Sequence, residues 1–337
     1  MKQYDSVTIA VLSRVFKKGV EEIDEYIQYG SQALQSILEN SEDYRMVRAR
    51  VVEYLSKNRD TSLITYWDEQ YPEDLKHITH PPVCLFVRGN SEFLASSMFA
   101  IVGTRKITSY GKVVTEMFAT ELAKHFVIVS GMAYGVDTVA HYSALKVKRS
   151  TIAVLGSGID YVYPKSNKSL YEEIIKNGCV VSEYLPWEEP KKYTFVERNR
   201  IISGLSKGVL VTEASIDSGA LITAKFGLEQ GKDIFAVPGD ILRQTSTGPN
   251  YLIKSGAFLV TEPQDILDYY GFKNHRKLIE LSEEEKELLE SIVEESTIDS
   301  IVSRTGRAFS HVMLLLTTLE LKGVVSRTER GNYIRLK

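Results

Sequence analysis

Cysteine is nearly missing from this chain: Cys84 and Cys179 are the only two in 337 residues. A disulfide framework is therefore excluded as the source of stability. Both cysteines sit in apolar, strand-like runs, so buried free thiols are expected, as suits a reducing cytosol. Long apolar runs are missing too. None approaches the ~20 residues that span a bilayer, and Met1-Lys-Gln-Tyr-Asp5 lacks the apolar core of a secretory signal. A cytoplasmic location without a membrane partner is expected. Basic charge is not in excess: 41 Lys and Arg face 44 Asp and Glu, for a formal net charge of −3. Nucleic-acid binding through bulk charge is excluded, and any such binding must come from a local basic patch. Repeats and low-complexity tracts are absent. His77, His80 and Cys84 are the only candidate metal ligands near one another. Pro81-Pro82 breaks that segment and Cys84 opens an apolar strand, so no metal site is expected.

What is present is an ordinary globular composition, 43% hydrophobic and 25% charged, with length enough for two to three domains and a sizeable core. Residues 1–60 read as a small helical domain, SAM-like or helix-hairpin-helix-like. Its amphipathic faces are Val7, Ile9, Leu12 and Val15-Phe16, then Leu34, Ile37 and Leu38, then Val47, Val51, Val52 and Leu55. Gly19 and Gly30 punctuate these helices. Residues 61–270 alternate short continuous apolar runs with helical segments. Val83–Val87, Phe99–Val102, Val127–Val129, Ile152–Leu155, Val180–Val181, Val209–Val211, Ile234–Val237 and Phe258–Val260 are the strand candidates. This is the α/β pattern of an extended, Rossmann-like, doubly wound parallel sheet, whose ligands bind at the carboxyl ends of the strands. Residues 271–280 read as a linker. Residues 281–337 carry a capping pattern at Ser282–Glu285, three helical segments and a hairpin, which together make a winged-helix-like domain.

The glycine-rich turns fall at the strand ends. Gly103-Thr104-Arg105 combines exposed amides with a guanidinium fork, both suited to an anion. Gly111-Lys112 lies too far from Gly103 for a Walker-type loop, and Val113 replaces its Ser or Thr. Ser130-Gly131 opens a second turn, followed by Asp137 and His141 one helical turn apart. With no adjacent nucleophile, they read as a hydrogen-bonded pair that stiffens the turn. Gly156-Ser157-Gly158 is half of a dinucleotide fingerprint, with Tyr161 in place of the third glycine. Ser218 caps a helix whose first amides, at Gly219 and Ala220, face outward, and Lys225 follows in its second turn. Glu213 ends a strand and reads as a partner for an arginine or a cap for an amide. Arg198-Asn199-Arg200 sits where an extended segment gives way to a helix-like run, a good place to hold phosphate. Tyr110, Tyr134 and Tyr163 lie in cleft loops where bases can stack. No catalytic residue, cofactor or metal is assigned.

The order of these motifs is specific. Tyr71-Pro72, Pro81-Pro82, Val102-Gly-Thr-Arg105, Ser130-Gly-Met-Ala-Tyr-Gly-Val-Asp137, Gly158-Ile-Asp160, Tyr163-Pro164, Ser182-Glu183, Arg198-Asn-Arg-Ile-Ile202, Ser218-Gly219, Val237-Pro-Gly239 and Gly256-Ala257 follow one another. Over about residues 60–265 the chain resembles the DprA/Smf family (DNA-processing protein A). The resemblance implies a core that binds single-stranded DNA without hydrolysing it. It also implies a homodimer that protects incoming strands in natural transformation and helps load the RecA recombinase. Gly103, Arg105, Ser130, Gly131, Gly156, Arg198, Asn199, Arg200, Ser218 and Gly219 match positions around the family's DNA cleft. Tyr134 stands where the family usually has a basic residue.

The rival is a nucleotide or nucleoside-monophosphate hydrolase on the same type of sheet, with Glu213 or Asp137 as general acid/base. A third reading makes the winged module a docking adaptor. Its helix Ser310-His-Val-Met-Leu-Leu-Leu-Thr-Thr-Leu-Glu-Leu-Lys322 is apolar and lacks arginine, unlike a helix that reads a major groove. Arg327 and Arg330 in the wing can still touch phosphate.

Overall fold

The structure, a computed structural model, describes residues 5–29, 32–272, 281–328 and 331–336. The expected linker lies outside these residues from position 273 to 280, as do Gly30, Arg330 and the side chains of Leu34 and Ile37. Two compact units divide the chain, Met1–Gly271 and Phe272–Lys337.

The first unit opens with helices α1 (Ser6–Phe16), α2 (Val20–Tyr29), α3 (Gln32–Asn40) and α4 (Glu42–Lys57). Next come β1 (Thr61–Thr65), α5 (Glu73–Lys76), β2 (Cys84–Gly89), β3 (Met98–Val102), α6 (Ser109–Leu122), β4 (Val127–Ser130), α7 (Val136–Lys146) and β5 (Thr151–Val154). The unit ends with α8 (Lys168–Asn177), β6 (Cys179–Ser182), α9 (Lys192–Gly204), β7 (Gly208–Val211), α10 (Gly219–Glu229), β8 (Asp233–Ala236), α11 (Thr247–Lys254), β9 (Phe258–Leu259) and α12 (Pro263–Tyr269). The strands form one sheet in the order β1-β2-β6-β5-β4-β3-β7-β8-β9. From β6 to β9 every pairing is parallel, while β2 runs antiparallel to both β1 and β6.

The doubly wound core is the one the alternating runs predicted. Strand β1 was not foreseen, because three of the five residues of Thr61-Ser-Leu-Ile-Thr65 are polar and the strand forms an edge. Side chains along β3 show why the strands are apolar throughout. Met98, Ala100 and Val102 pack with Ile201, Val209 and Ala224 on one face. Phe99 and Ile101 pack with Phe118, Ala140 and Phe235 on the other. Both faces are covered, so both are hydrophobic. Winding runs outward from β3 through β4 and β5 to β6, and from β7 through β8 to β9. Neighbours β3 and β7 therefore mark the topological switch point, and their carboxyl ends open a crevice.

The leading helices belong to the same compact unit as the sheet. Ile9, Ala10, Val11 and Leu12 are consecutive and all 0% exposed. Ala10 and Val11 pack with Cys84, Phe86 and Val180, while Ile9 and Leu12 pack with Ile23 and Val83. A helix buried on opposite sides is held between two layers. The boundary expected near residue 60 falls inside this unit.

The second unit has α13 (Glu283–Ser291), α14 (Ile298–Thr305), α15 (Phe309–Leu321) and an antiparallel pair, β10 (Val325–Arg327) with β11 (Tyr333–Arg335). The capping box at its start is formed as read: Ser282 N donates to Glu285 Oε2 at 2.7 Å and Glu285 N to Ser282 Oγ at 3.2 Å. Leu288, Ile301, Val312, Leu316, Leu319 and Tyr333 make its core.

Because α1 is a filling between layers, Leu12→Ala is expected to destabilise the first unit by about 2–5 kcal/mol, the range for a deleted buried leucine. Urea unfolding of the full chain, followed by circular dichroism, measures this. A shift well under that range would mean that α1 is only loosely attached.

Candidate functional site

The crevice at the switch point encloses about 780 Å³, a volume typical of ligand clefts. The turn after β3 lines it with Gly103, Thr104, Arg105 and Lys106, and the start of α10 with Ser218, Gly219 and Ala220. Helix α9 contributes Lys192, Phe195, Arg198 and Asn199, and Gln244 and Thr245 complete the rim.

The local sequence makes these turns. A Cβ on Gly103 would lie 2.5 Å from Val136 Cγ2 and 2.6 Å from the Glu213 carbonyl, so the backbone passes where a side chain cannot. Gly135 holds φ at +76°, in the left-handed region. The Thr104 amide then donates to the Glu213 carbonyl at 2.6 Å, and the Val136 amide donates to the Thr104 carbonyl at 3.2 Å. The buried Glu213 carboxylate accepts from Thr108 N at 2.9 Å, Thr108 Oγ1 at 2.7 Å and Thr245 Oγ1 at 3.1 Å. It thus fixes the start of α6, where negative charge is favoured, and matches the amide-capping reading. Ser218 Oγ accepts from Ala220 N at 3.3 Å and caps α10 as expected.

Four cations, Arg105, Lys106, Lys192 and Arg198, share the lining with one carboxylate, Asp137. Among the described residues no carboxylate pairs with Arg105, Lys106 or Lys192. The Arg105 guanidinium lies 5.6 Å from the centre of the Phe195 ring. Tyr163, 44% exposed, lies 5.3 Å from the same ring at 48°. The cleft therefore sets free positive charge beside an aromatic pair.

Several motif residues serve other ends. Arg198-Asn199-Arg200 is not at a helix start. It lies well inside α9, which begins at Lys192. Arg198 is 4% exposed. Its Nη1 donates to the Gly131 carbonyl at 2.8 Å and to the Val154 carbonyl, tying together the ends of β4 and β5. Burial, opposed by Asp137, pulls this guanidinium down to about 10, so it stays charged at neutral pH. Burial likewise pushes the Asp137 carboxyl above its ordinary range against the pull of Arg198. Arg200 pairs with Glu183 at 2.7 Å and does not line the cleft. Asn199 Nδ2 donates to the Gly219 carbonyl at 3.2 Å and joins α9 to α10.

Ser130, Gly131, Gly156, Ser157 and Gly158 also lie behind the lining. Ser130 Oγ donates to the Ile101 carbonyl at 2.7 Å. Gly131 leaves room for the Arg198 guanidinium, and Gly156 for the Phe195 ring. Ser157 Oγ donates to the Tyr161 carbonyl at 3.1 Å, and Gly158 N to the Glu188 carbonyl at 2.7 Å. These small residues admit neighbouring protein groups. Lys225 is exposed and lies 3.8 Å from Glu229 on its own helix, away from the lining. The expected Asp137–His141 pair is not formed. Asp137 Oδ2 accepts from Ala133 N at 3.2 Å, whereas His141 Nδ1 meets Thr151 Oγ1 at 2.7 Å. That hydroxyl donates to the Ile128 carbonyl, so His141 must carry its proton on Nδ1, leaving Nε2 a buried acceptor without a partner.

Sequence reasoning assigned no role to Lys106, Lys192 or Phe195. The signal was available: Lys191-Lys192 lies three residues before Phe195, one helical turn, so charge and ring share a face. Tyr110 and Tyr134 are exposed, with hydroxyls bonded to the Pro238 carbonyl and to Ser166. The Cys84 thiol is pushed up to about 12 by burial, and the described residues contain no cluster of three or more potential metal ligands. In the second unit, Arg307 pairs with Glu284 and Glu287, and Lys322 with Glu285. Leu314 and Leu321 of α15 face outward at 64% and 86% exposure. No described helix is long and apolar enough to cross a membrane.

This is a protein with a Rossmann-like sheet and a cationic, aromatic-edged crevice at its switch point. Comparison with known proteins identifies its family. The family model for DNA recombination-mediator protein A matches residues 62–271, and the DprA winged helix domain model matches residues 273–329. The chain belongs to this DprA/Smf family. It is 46% identical over 205 residues to the DNA processing protein DprA of Streptococcus pneumoniae, covering 61% of this chain and 73% of that protein. It is 40% identical over 290 residues to protein Smf of Escherichia coli, covering 82% and 77%. The solved structure of the S. pneumoniae protein superposes with a TM-score of 0.68 at 38% identity, over 80% of this chain and 97% of that one. DNA processing protein A of Helicobacter pylori, described for its single-stranded DNA binding mode, gives 0.58 at 32% identity, over 64% and 97%.

Burial, then the charge of Arg198, holds His141 down at about 3. Unfolded, the imidazole takes up a proton near its ordinary value of 6.5. Its contribution to stability is therefore full above that value and drains as pH falls toward about 3. His141→Asn keeps a donor toward Thr151 and removes the titration. Urea unfolding at about pH 7 and about pH 4 is expected to show a smaller acid loss in the variant. An equal loss would assign the effect to other groups.

Proposed function

We propose that this chain binds single-stranded DNA in the switch-point crevice and holds it without breaking a bond. One observation carries the reading: Arg105, 5.6 Å from the Phe195 ring, and Lys192 share the cleft lining with the Phe195–Tyr163 pair, and among the described residues no carboxylate pairs with either. Phosphates would sit against these cations and the amides of Gly103 and Gly219, with Asn199 beside them. Bases would stack on the rings. Backbone contact and stacking read little sequence, so preference among sequences should be slight. Family membership supports this reading, as does the single-stranded DNA binding of the H. pylori relative.

The wider role goes with it. A homodimer in the cytoplasm would shield incoming strands during natural transformation and pass them to the RecA recombinase. The winged unit, with Lys286, Arg307 and Lys322 held by glutamates and leucines of α15 turned outward, suits contact with protein better than the reading of duplex. The hydrolase reading loses Glu213 to its threonine partners and is left with Asp137, which faces Arg198.

The test is a titration of labelled oligothymidylate and a duplex of equal length at two salt levels. Single strands are expected to bind more tightly, with log affinity falling by about 0.7 per neutralised phosphate for each decade of salt. Arg105→Ala and Lys192→Ala should each flatten that slope by about the same 0.7. Phe195→Ala should cost about 1–3 kcal/mol and leave the slope unchanged. Indifference to oligonucleotides in dilute buffer, with turnover of a mononucleotide, would overturn the reading.

A further inference from the structure

Near the end of α1, Arg14 reaches into the sheet unit. Its Nη2 donates to Glu188 Oε1 at 3.0 Å, and its guanidinium stacks over the Tyr184 ring at 4.4 Å. The side chain is 14% exposed, and its Nε is buried without a partner. A cation in such a place is costly unless it holds something. What it holds is the connection between β6 and α9. Helix α4 grips the same connection: Arg50 lies 3.9 Å from the Trp187 ring, and Tyr54 meets that ring edge-on at 6.3 Å.

From this connection the contacts lead to the crevice. The fully buried Tyr184 donates its hydroxyl to Glu197 Oε2 at 3.1 Å and places it 3.3 Å from the Thr194 carbonyl. Thr194 Oγ1 in turn donates to the Gly156 carbonyl and accepts from Lys191 N at 3.0 Å, fixing the first turn of α9. That turn carries Lys192 and Phe195 into the crevice. Arg14 is not part of the crevice lining.

We propose that the N-terminal helices brace the cleft and that Arg14 is a positioning residue, setting the place of Lys192 and Phe195 through Tyr184 and Glu188. The proposal rests on the reading of the crevice as a single-strand site. In the full chain, Arg14→Ala is expected to weaken oligothymidylate binding by about two- to thirtyfold, the range for residues that tune a site without touching its ligand. Its salt slope should equal that of the unaltered protein, unlike that of Arg105→Ala. Hydrogen exchange should quicken over residues 192–199 and not over α6. Arg14→Lys, which keeps the charge but loses the planar stack, should recover part of the affinity.

Unchanged affinity in a folded Arg14→Ala variant, with only a lower melting temperature, would overturn the proposal. So would a flattened salt slope, which would make Arg14 a phosphate contact. Should Arg14→Ala not fold, Tyr184→Phe carries the test, because it keeps the ring under Arg14 and cuts only the link to Glu197 and Thr194. Weakened binding at an unchanged slope is expected, and full affinity would sink the brace. If the unaltered protein ignores oligonucleotides, the single-strand reading fails on its own, and exchange over residues 192–199 still reports whether the brace exists.

Discussion

A parallel sheet ends in carbonyls that point past its edge with nothing beyond them. In this protein one buried guanidinium answers two of them. Arg198 takes the carbonyls of Gly131 and Val154, at the ends of β4 and β5, and faces Asp137. Burying a charge is tolerable only with such partners. The price is met by geometry: α9 must lie across the strand ends at one height, which brings Phe195, Lys192 and Asn199 to the crevice. Gly131 and Gly156 are small so that this helix can come close. The most conspicuous arginine of the chain is thus a strut, and the free charge stands around it.

The fold was largely legible in the sequence, for a physical reason. Strands covered on both faces must be apolar throughout, and eight such runs fell where the structure has β2 to β9. Edge strand β1 escaped because three of its five residues are polar. The three helices and the hairpin of the second unit were marked by a capping box and by helical spacing. The site was less legible. Small residues at strand ends signal close approach, but not what approaches. At Gly219 the neighbour is open space in the crevice, while at Gly103 it is Val136 and the Glu213 carbonyl, and at Gly131 and Gly156 an arginine and a phenylalanine of the same chain. Arg200 likewise looks free until Glu183 is placed beside it. Pairing is a long-range property, invisible to local spacing.

Carboxylates and cations divide their work accordingly. Glu213 and Glu183 spend their charge inside the protein, on amides, hydroxyls and a guanidinium. Arg105, Lys106 and Lys192 are left unspent at the opening. A net charge of −3 is compatible with holding a polyanion because the sign that matters is local. In the second unit the balance is reversed, with Arg307 and Lys322 held by glutamates and leucines turned outward.

The crevice draws on segments scattered from Val102 to Thr245. Its last rim residues leave the ribosome well after the first strands, and β7, which forms the switch point with β3, emerges only at residues 208–211. Domains fold as units during synthesis, N-terminal parts first. An unfinished chain therefore lacks the assembled crevice until most of it has been translated.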